Sequence, residues 1–233
     1  VMAFAASQVA NAFGTDLDAH LQDLMQKLGT DHVPYVLGAC DKFLRTALAT
    51  PGLFRQDVEP EELAQLRGRV EAAYAIRRPL DLASLTRNWH AAAGLLKLYL
   101  RELPQPLLTT QLYPYFLSCD DGGNAMAKLS KLADLFGRLP PSYFRSVKQV
   151  LAILHDTSVL NSVMSAAELS KIFTPLLLRT QTGLPAQDKP RAEAVVALMI
   201  ANGAASGALI SSVQVAAPAA SVASLGSQMA GVS

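Results

Sequence analysis

The sequence predicts an all-α protein, folded as a single globular bundle of about nine helices. Three observations support this fold class. Apolar residues recur at the three- and four-residue spacing of a helix face, prolines and glycines interrupt that pattern at helix-length intervals, and no alternating run argues for strands. Hydrophobic residues make up 51% of the 233 residues, which is ample for one buried core.

The first helix is predicted over 17–28, where leucines and a methionine return on one face. Thr15 or Asp16 would cap its start and Gly29 would stop it. A second helix begins after Pro34. Its apolar face consists of Val36, Leu37, Cys40, Phe43 and Leu44.

The break between the second and third helices lies at residues 50–52, Thr-Pro-Gly. The third helix begins near Pro60, because proline suits the first turn. The fourth spans 88–103 and is halted by Pro104 and Pro106, since the residue before a proline avoids the α region. Later helices are predicted at 109–118, 124–138, 142–157, 165–178 and 188–204.

Composition excludes several classes of protein. The net charge of +1 gives no bulk electrostatic footprint for nucleic acid or an anionic membrane. Cys40 and Cys119 stand alone, so we expect two small apolar core residues of a reducing compartment rather than a zinc site or a disulfide. We expect no secretory signal, because no basic segment followed by a long apolar run opens the sequence, and the start at Val1 suggests a piece of a larger multidomain protein.

The chain divides into three parts. Residues 1–12 are an N-terminal flank, 13–204 form the domain, and 205–233 are a low-complexity Ala/Ser/Gly tail that we expect to be flexible. Residues 194–233 contain no charged side chain. Polar residues and glycines interrupt this stretch too often for a membrane span, so we expect none.

No motif of a self-contained active site occurs. The sequence lacks a phosphate-binding loop, a paired-histidine zinc motif and a nucleophile elbow, and its four histidines are scattered singly. We therefore expect neither a metal nor a cofactor, and no enzyme that completes a reaction alone.

Two segments with arginine stand out. In the loop at 50–58, Leu53 and Phe54 can anchor the chain in the core and leave Arg55 projecting. Binding residues concentrate on loops that a rigid scaffold holds, although spacing alone favours an ordinary solvated arginine.

The second segment is the fourth helix, where Leu96, Leu100 and Leu103 form a core stripe. Lys97 and Arg101 stand together on another side. Two like charges at this spacing cost a few tenths of a kcal/mol, which either a neighbouring carboxylate or an anionic partner surface could offset.

These segments resemble the RhoGAP family. Gly52-Leu53-Phe54-Arg55 is similar to its Gly-Ile-Phe-Arg loop, and 93–108 to its Gly-x-Leu-Lys-x-x-Leu-Arg-Glu-Leu-Pro-x-Pro-Leu helix. Further matches follow in the family's order at 139–143, Asn161 and 164–175. Upstream, 13–21 resembles the short lead-in found before many such domains. The resemblance covers roughly 13–204, and the Leu-Arg-Glu-Leu-Pro string is its most specific part.

The resemblance implies an activator of a Rho-family small GTPase, of Rho, Rac or Cdc42 type, in its GTP-bound form. The GTPase holds GTP, Mg²⁺ and the glutamine that orients water. Arg55 would be the arginine finger inserted beside the phosphates. Lys97 would meet acidic or carbonyl groups of the GTPase switch surface, and Arg101 would brace the loop. Such a protein is expected in the cytoplasm, recruited to membranes by other parts of its parent.

The sequence departs from the family at three places. Glu168 stands where the family usually has an asparagine that contacts the GTPase switch region, so an acceptor is kept, amide donors are lost and a negative charge is added. Thr174 replaces a glycine, and 203–207 are small residues where the family prefers bulkier ones.

Two functional hypotheses follow. In the first, the domain accelerates hydrolysis through Arg55. In the second, it is a catalytically weak or inactive RhoGAP-fold module that binds GTPases or other partners. The presence of Arg55 favours the first hypothesis, and Glu168 favours the second.

Overall fold

The computed structural model describes residues 11–28, 33–76 and 78–203, and within these ranges the all-α prediction is confirmed. One short 3₁₀ turn lies at Leu82–Ser84, and Thr180 and Gly183 form an isolated antiparallel bridge. The described helices are α1 (Leu17–Leu28), α2 (Tyr35–Leu44), α3 (Pro60–Ala75), α4 (Trp89–Glu102), α5 (Tyr113–Ser118), α6 (Ala125–Phe136), α7 (Pro141–Leu160), α8 (Ala166–Leu177) and α9 (Lys189–Ala201).

Helix α4 lies between the helices that surround the candidate site. It packs against α2, α3 and α8, while α7 and α8 pack against α9. Its first turn carries three buried alanines at 91–93, whose small side chains allow neighbouring helices to approach closely. Leu96, Leu100 and Leu103 are buried, so the predicted core stripe is confirmed.

Helix starts follow the predicted capping chemistry. The Asp16 carboxylate accepts hydrogen bonds from the backbone N–H groups of Asp18 and Ala19 at 3.0 and 3.2 Å, so Asp16 rather than Thr15 caps α1. Asn88 caps α4 in the same way. Pro60 occupies the first turn of α3. Gly29, the predicted stop of α1, lies outside the described residues.

The largest boundary difference concerns α5, which begins at Tyr113 rather than at 109. Thr109 has a positive φ of 55°, a conformation that cannot continue a right-handed helix. The Leu108 N–H donates to the Leu177 carbonyl at 3.1 Å, which ties this connection to the end of α8.

Helix α9 ends at Ala201, three residues before the predicted 204. The glycine at 203 is explained by packing against α7. A Cβ on Gly203 would lie 2.4 Å from Cβ of His155. The end of α9 is also bound to α7 by a 2.9 Å contact between the His155 Nδ1 and the Ile200 carbonyl. Residue 204, the tail at 205–233 and residues 1–10 of the flank lie outside the described ranges.

The segment before α1 is attached to α3 and α4. The N–H groups of Ala12 and Phe13 donate to the Glu71 carboxylate at 2.7 and 3.3 Å. The buried Phe13 ring meets Tyr99 of α4 edge-on, with centroids 5.9 Å apart, and the Arg67 guanidinium lies 5.2 Å from its centroid.

Among the described residues, no helix is both long enough and apolar enough to cross a bilayer. The same residues contain no cluster of histidine, cysteine, aspartate and glutamate that could hold a metal ion.

Candidate functional site

The 50–58 loop is a series of tight turns centred on Gly52. The Gly52 carbonyl accepts hydrogen bonds from the N–H groups of Arg55 and Gln56, both at 2.9 Å, and Leu53 N–H donates to the Thr50 carbonyl at 3.2 Å. Gly52 has a φ of 66°, a left-handed conformation that glycine adopts without the penalty of a Cβ. The backbone of this turn therefore favours glycine at position 52.

Two completely buried side chains anchor the loop, as the sequence predicts. Leu53 and Phe54 are both 0% exposed. The Phe54 ring meets Phe173 of α8 edge-on, with centroids 5.1 Å apart and an interplanar angle of 82°. This geometry is favourable for aromatic pairs, and it fixes the residue immediately before Arg55 against α8.

Asn161, at the end of α7, holds the other side of the loop. Its buried amide nitrogen donates to the carbonyls of Leu48 and Thr50 at 3.1 and 2.7 Å. Its oxygen accepts from the Val163 N–H at 3.2 Å. Such a satisfied buried amide holds the chain in one arrangement.

Arg55 projects from this anchored base with 56% of its side chain exposed. Its Nη2 lies 2.5 Å from Oε2 of Glu168, in the first turn of α8. The second oxygen, Oε1, accepts from Nζ of Lys171 at 2.8 Å. In the free chain Arg55 therefore belongs to an exposed cluster of two cations and one carboxylate, which we call the Arg55–Glu168–Lys171 cluster.

Lys97 makes the contact that supports the loop. Its Nζ donates to the Phe54 carbonyl at 2.9 Å, one residue before Arg55. Burial lowers the pKa of the Lys97 ammonium from its ordinary value; the carboxylate of Asp57 opposes this shift, and the charge of Arg101 adds to it.

Arg101 is exposed and forms no side-chain hydrogen bond or ion pair with the described residues. In the free chain the hydrogen bond to the loop comes from Lys97. The resemblance implies Arg101 as the brace, and that role stays a prediction. Glu102 does not offset the two charges of this face, since its carboxylate binds both Nη atoms of Arg67 at 2.8 Å.

Two residues of the candidate site, Lys171 and Asn161, have no role in the sequence-based prediction. Lys171 carries a signal that could have been used, because it follows Glu168 at the i+3 spacing of a helical ion pair. Asn161 belongs to a segment that resembles the family, yet its bonds to the loop depend on tertiary structure. Thr174, one of the departures, is fully buried, and its hydroxyl finds no hydrogen-bond partner among the described residues.

Comparison with known proteins identifies the family of this domain. The sequence model of the RhoGAP domain matches residues 34–182, more than half of the chain, and the chain therefore belongs to the RhoGAP domain family. It is 30% identical over 176 residues to Rho GTPase-activating protein 31 of Homo sapiens, covering 74% of this chain and 12% of that protein. It is 29% identical over 199 residues to Rho GTPase-activating protein 32 of Xenopus laevis, covering 82% of this chain and 10% of that protein.

Solved structures support the fold. Human Rho GTPase activating protein 15 matches with a TM-score of 0.70 and 21% identity, over 83% of this chain and 90% of that one. The BH domain of GRAF, the GTPase regulator associated with focal adhesion kinase, matches with a TM-score of 0.68 and 19% identity, over 84% and 98% of the two chains. The chain spans only 10–12% of the length of the two Rho GTPase-activating proteins to which its sequence was compared above.

The hydrogen bond from Lys97 to the Phe54 carbonyl gives a first testable prediction. In Lys97→Met, the amides of Arg55 and Gln56 should exchange their hydrogens about ten- to a hundredfold faster, because a hydrogen bond to a charged group is worth about 1.5–3 kcal/mol. Exchange of these amides, followed by NMR, measures the effect. Lys189→Met is the matched control, since Lys189 is exposed on α9. Unchanged exchange in Lys97→Met would show that the loop is held without this bond.

Proposed function

We propose that this domain accelerates GTP hydrolysis by a GTP-bound Rho-family small GTPase, to which it supplies Arg55 in trans. The proposal depends on the difference in exposure between three consecutive residues of the 50–58 loop. Leu53 and Phe54 are completely buried, and Arg55 is more than half exposed. A guanidinium on so firm a base can enter a partner's pocket without the loop having to be ordered first.

The chemistry suits a guanidinium. In the transition state of phosphoryl transfer, negative charge spreads over the departing phosphoryl group and the leaving oxygen. Arg55 would neutralise that charge inside a pocket that excludes water, and its planar fork can reach two oxygens at once. Fingers of this kind are worth about 10³- to 10⁵-fold in rate, or ~4–7 kcal/mol of barrier.

The other site residues take supporting roles in this proposal. Lys97 holds the loop through the Phe54 carbonyl. Arg101, whose guanidinium is exposed, is available for acidic or carbonyl groups on the GTPase. Family membership and relatives named as Rho GTPase-activating proteins support this class of partner. We place the activity in the cytoplasm, with recruitment to membranes left to other parts of a longer parent protein.

A second candidate function follows from Glu168. Its carboxylate binds Arg55 in the free chain, and it brings a negative charge to the surface that would face the phosphates. A domain in which this pair never opens would bind GTPases without accelerating hydrolysis.

The test is phosphate release from GTP-loaded Rho, Rac and Cdc42-type GTPases, with and without the domain. The proposal predicts faster release with at least one of them. Binding is measured in parallel by calorimetry with GTPases that hold a non-hydrolysable GTP analogue. Binding without any acceleration would favour the second function, and neither binding nor acceleration would contradict both.

A further inference from the structure

We propose that Glu168 is a positioning residue for Arg55. It holds the guanidinium in the free protein and releases it to the nucleotide, while Lys171 stays behind as the partner of the carboxylate. This inference rests on the proposed function and concerns how the same site is regulated.

The geometry of the carboxylate supports such a transfer. Each oxygen serves a different cation, with Oε2 against Arg55 and Oε1 against Lys171. Arg55 and Glu168 belong to different elements, the 50–58 loop and α8, whereas Lys171 lies on the same helix as Glu168. Arg55 can therefore leave without separating Glu168 from Lys171.

The local sequence would allow Glu168 a different partner, which it does not take. Ser165 and Glu168 form the S-x-x-E pattern of a capping box, in which the glutamate reaches back to the backbone N–H of the serine. One half of the box is present, because the Glu168 N–H donates to the Ser165 Oγ at 3.2 Å. The described contacts of the carboxylate are with Arg55 and Lys171 instead.

Lys171 gives the release a physical basis. The Lys171 hydrogen bond first, then the charges of Lys171 and Arg55, hold the pKa of Glu168 below its usual range, so the carboxylate is ionised at neutral pH. Once Arg55 has moved, an unpaired carboxylate would repel the phosphates of GTP. A carboxylate that is still paired with Lys171 presents little net charge to the phosphates. The free-energy cost of moving Arg55 away is therefore lower than it would be without Lys171.

The magnitude must be modest, because all three side chains are well exposed. Exposed ion pairs of this kind shift an equilibrium by at most about fivefold. The Arg55–Glu168 pair therefore restrains the arginine without blocking it. It would lower the fraction of docked complexes in which Arg55 has reached the nucleotide.

Glu168→Gln tests the holding role, since it retains the shape of the side chain and removes its charge. Phosphate release is measured in single turnover, with the GTPase saturated by the domain. We expect the rate constant to rise about two- to fivefold at low salt. The difference from wild type should shrink at high salt, because ions screen exposed pairs.

Lys171→Met tests the release, and its effect should depend on Glu168. With Glu168 present, we expect the rate constant to fall about two- to fivefold, because the carboxylate then holds Arg55 alone and is left unpaired when Arg55 departs. In the Glu168→Gln background the same change should have no effect. Equal effects of Lys171→Met in both backgrounds would overturn the coupling between the two residues.

A measurement without any GTPase separates this inference from the proposed function. The Nε–Hε NMR signal of Arg55, assigned by its loss in Arg55→Lys, should shift in Glu168→Gln and stay in place in the exposed-lysine control Lys189→Met. An Arg55 signal unaffected by Glu168→Gln overturns the inference, and so does a shifted signal with an unchanged rate constant. Failure of the wild-type domain to accelerate hydrolysis contradicts the proposed function instead.

Discussion

Arg55→Ala is expected to abolish most of the acceleration of GTP hydrolysis, with a loss of about 10³- to 10⁵-fold in the stimulated rate. The guanidinium is the group that would neutralise charge in the transition state, and alanine leaves nothing in its place. Binding to the GTPase should persist, because Leu53, Phe54 and Lys97 still hold the loop in shape. Single-turnover phosphate release and calorimetric affinity, measured on the same preparation, separate the two effects.

Arg55→Lys is the matched variant for this experiment. Lysine retains the positive charge but is a compact ammonium that cannot reach two oxygens through a planar fork. We expect it to recover only a small part of the lost rate. Thermal stability should be close to that of wild type in both variants, since the side chain is 56% exposed. Full acceleration by Arg55→Ala would rule out Arg55 as the finger.

The second large effect is expected for Phe54→Ala, which should lower the free energy of unfolding by about 3–5 kcal/mol. The ring is completely buried and meets Phe173 edge-on, so its removal leaves a cavity between the 50–58 loop and α8 and breaks an aromatic pair. Urea unfolding followed by circular dichroism measures the loss as a lower midpoint. Activity should fall as well, because the base of Arg55 is no longer fixed.

Two controls locate this effect. Phe54→Leu retains most of the buried volume and should cost less than the alanine variant. Tyr115→Ala removes a ring that is 53% exposed on α5, and surface changes of this kind are usually within about 0.5 kcal/mol of wild type. Equal losses for Phe54→Ala and Tyr115→Ala would mean that Phe54 does not anchor the loop.

The fold could be predicted from the sequence because its signals are local. Apolar spacing gives the helix faces, and residues such as Asp16, Pro60 and Asn88 indicate where helices begin. The start of α5 could not be predicted in this way. It depends on the positive φ of Thr109 and on a hydrogen bond to the end of α8, which is distant in sequence.

Some residues of the candidate site could be predicted from the sequence, but Lys171, Asn161 and the contacts between side chains could not. Leu53 and Phe54 before Arg55 allow an anchored loop with a projecting arginine, and the structure has both features. Which cation braces the loop depends on the angle between α4 and the loop, and spacing along α4 contains no such information. The contact between Arg55 and Glu168 joins residues 113 positions apart, so only tertiary structure reveals it.

The segment before α1 matters for how this domain is produced in the laboratory. The Phe13 ring packs edge-on against Tyr99, and its backbone N–H is bound to Glu71, whereas the match to the RhoGAP domain model begins at residue 34. A recombinant fragment trimmed to that pattern would uncover an apolar face of α4 and leave the Glu71 carboxylate without two of its donors. Such a fragment should aggregate more readily, so expression should begin upstream of residue 11.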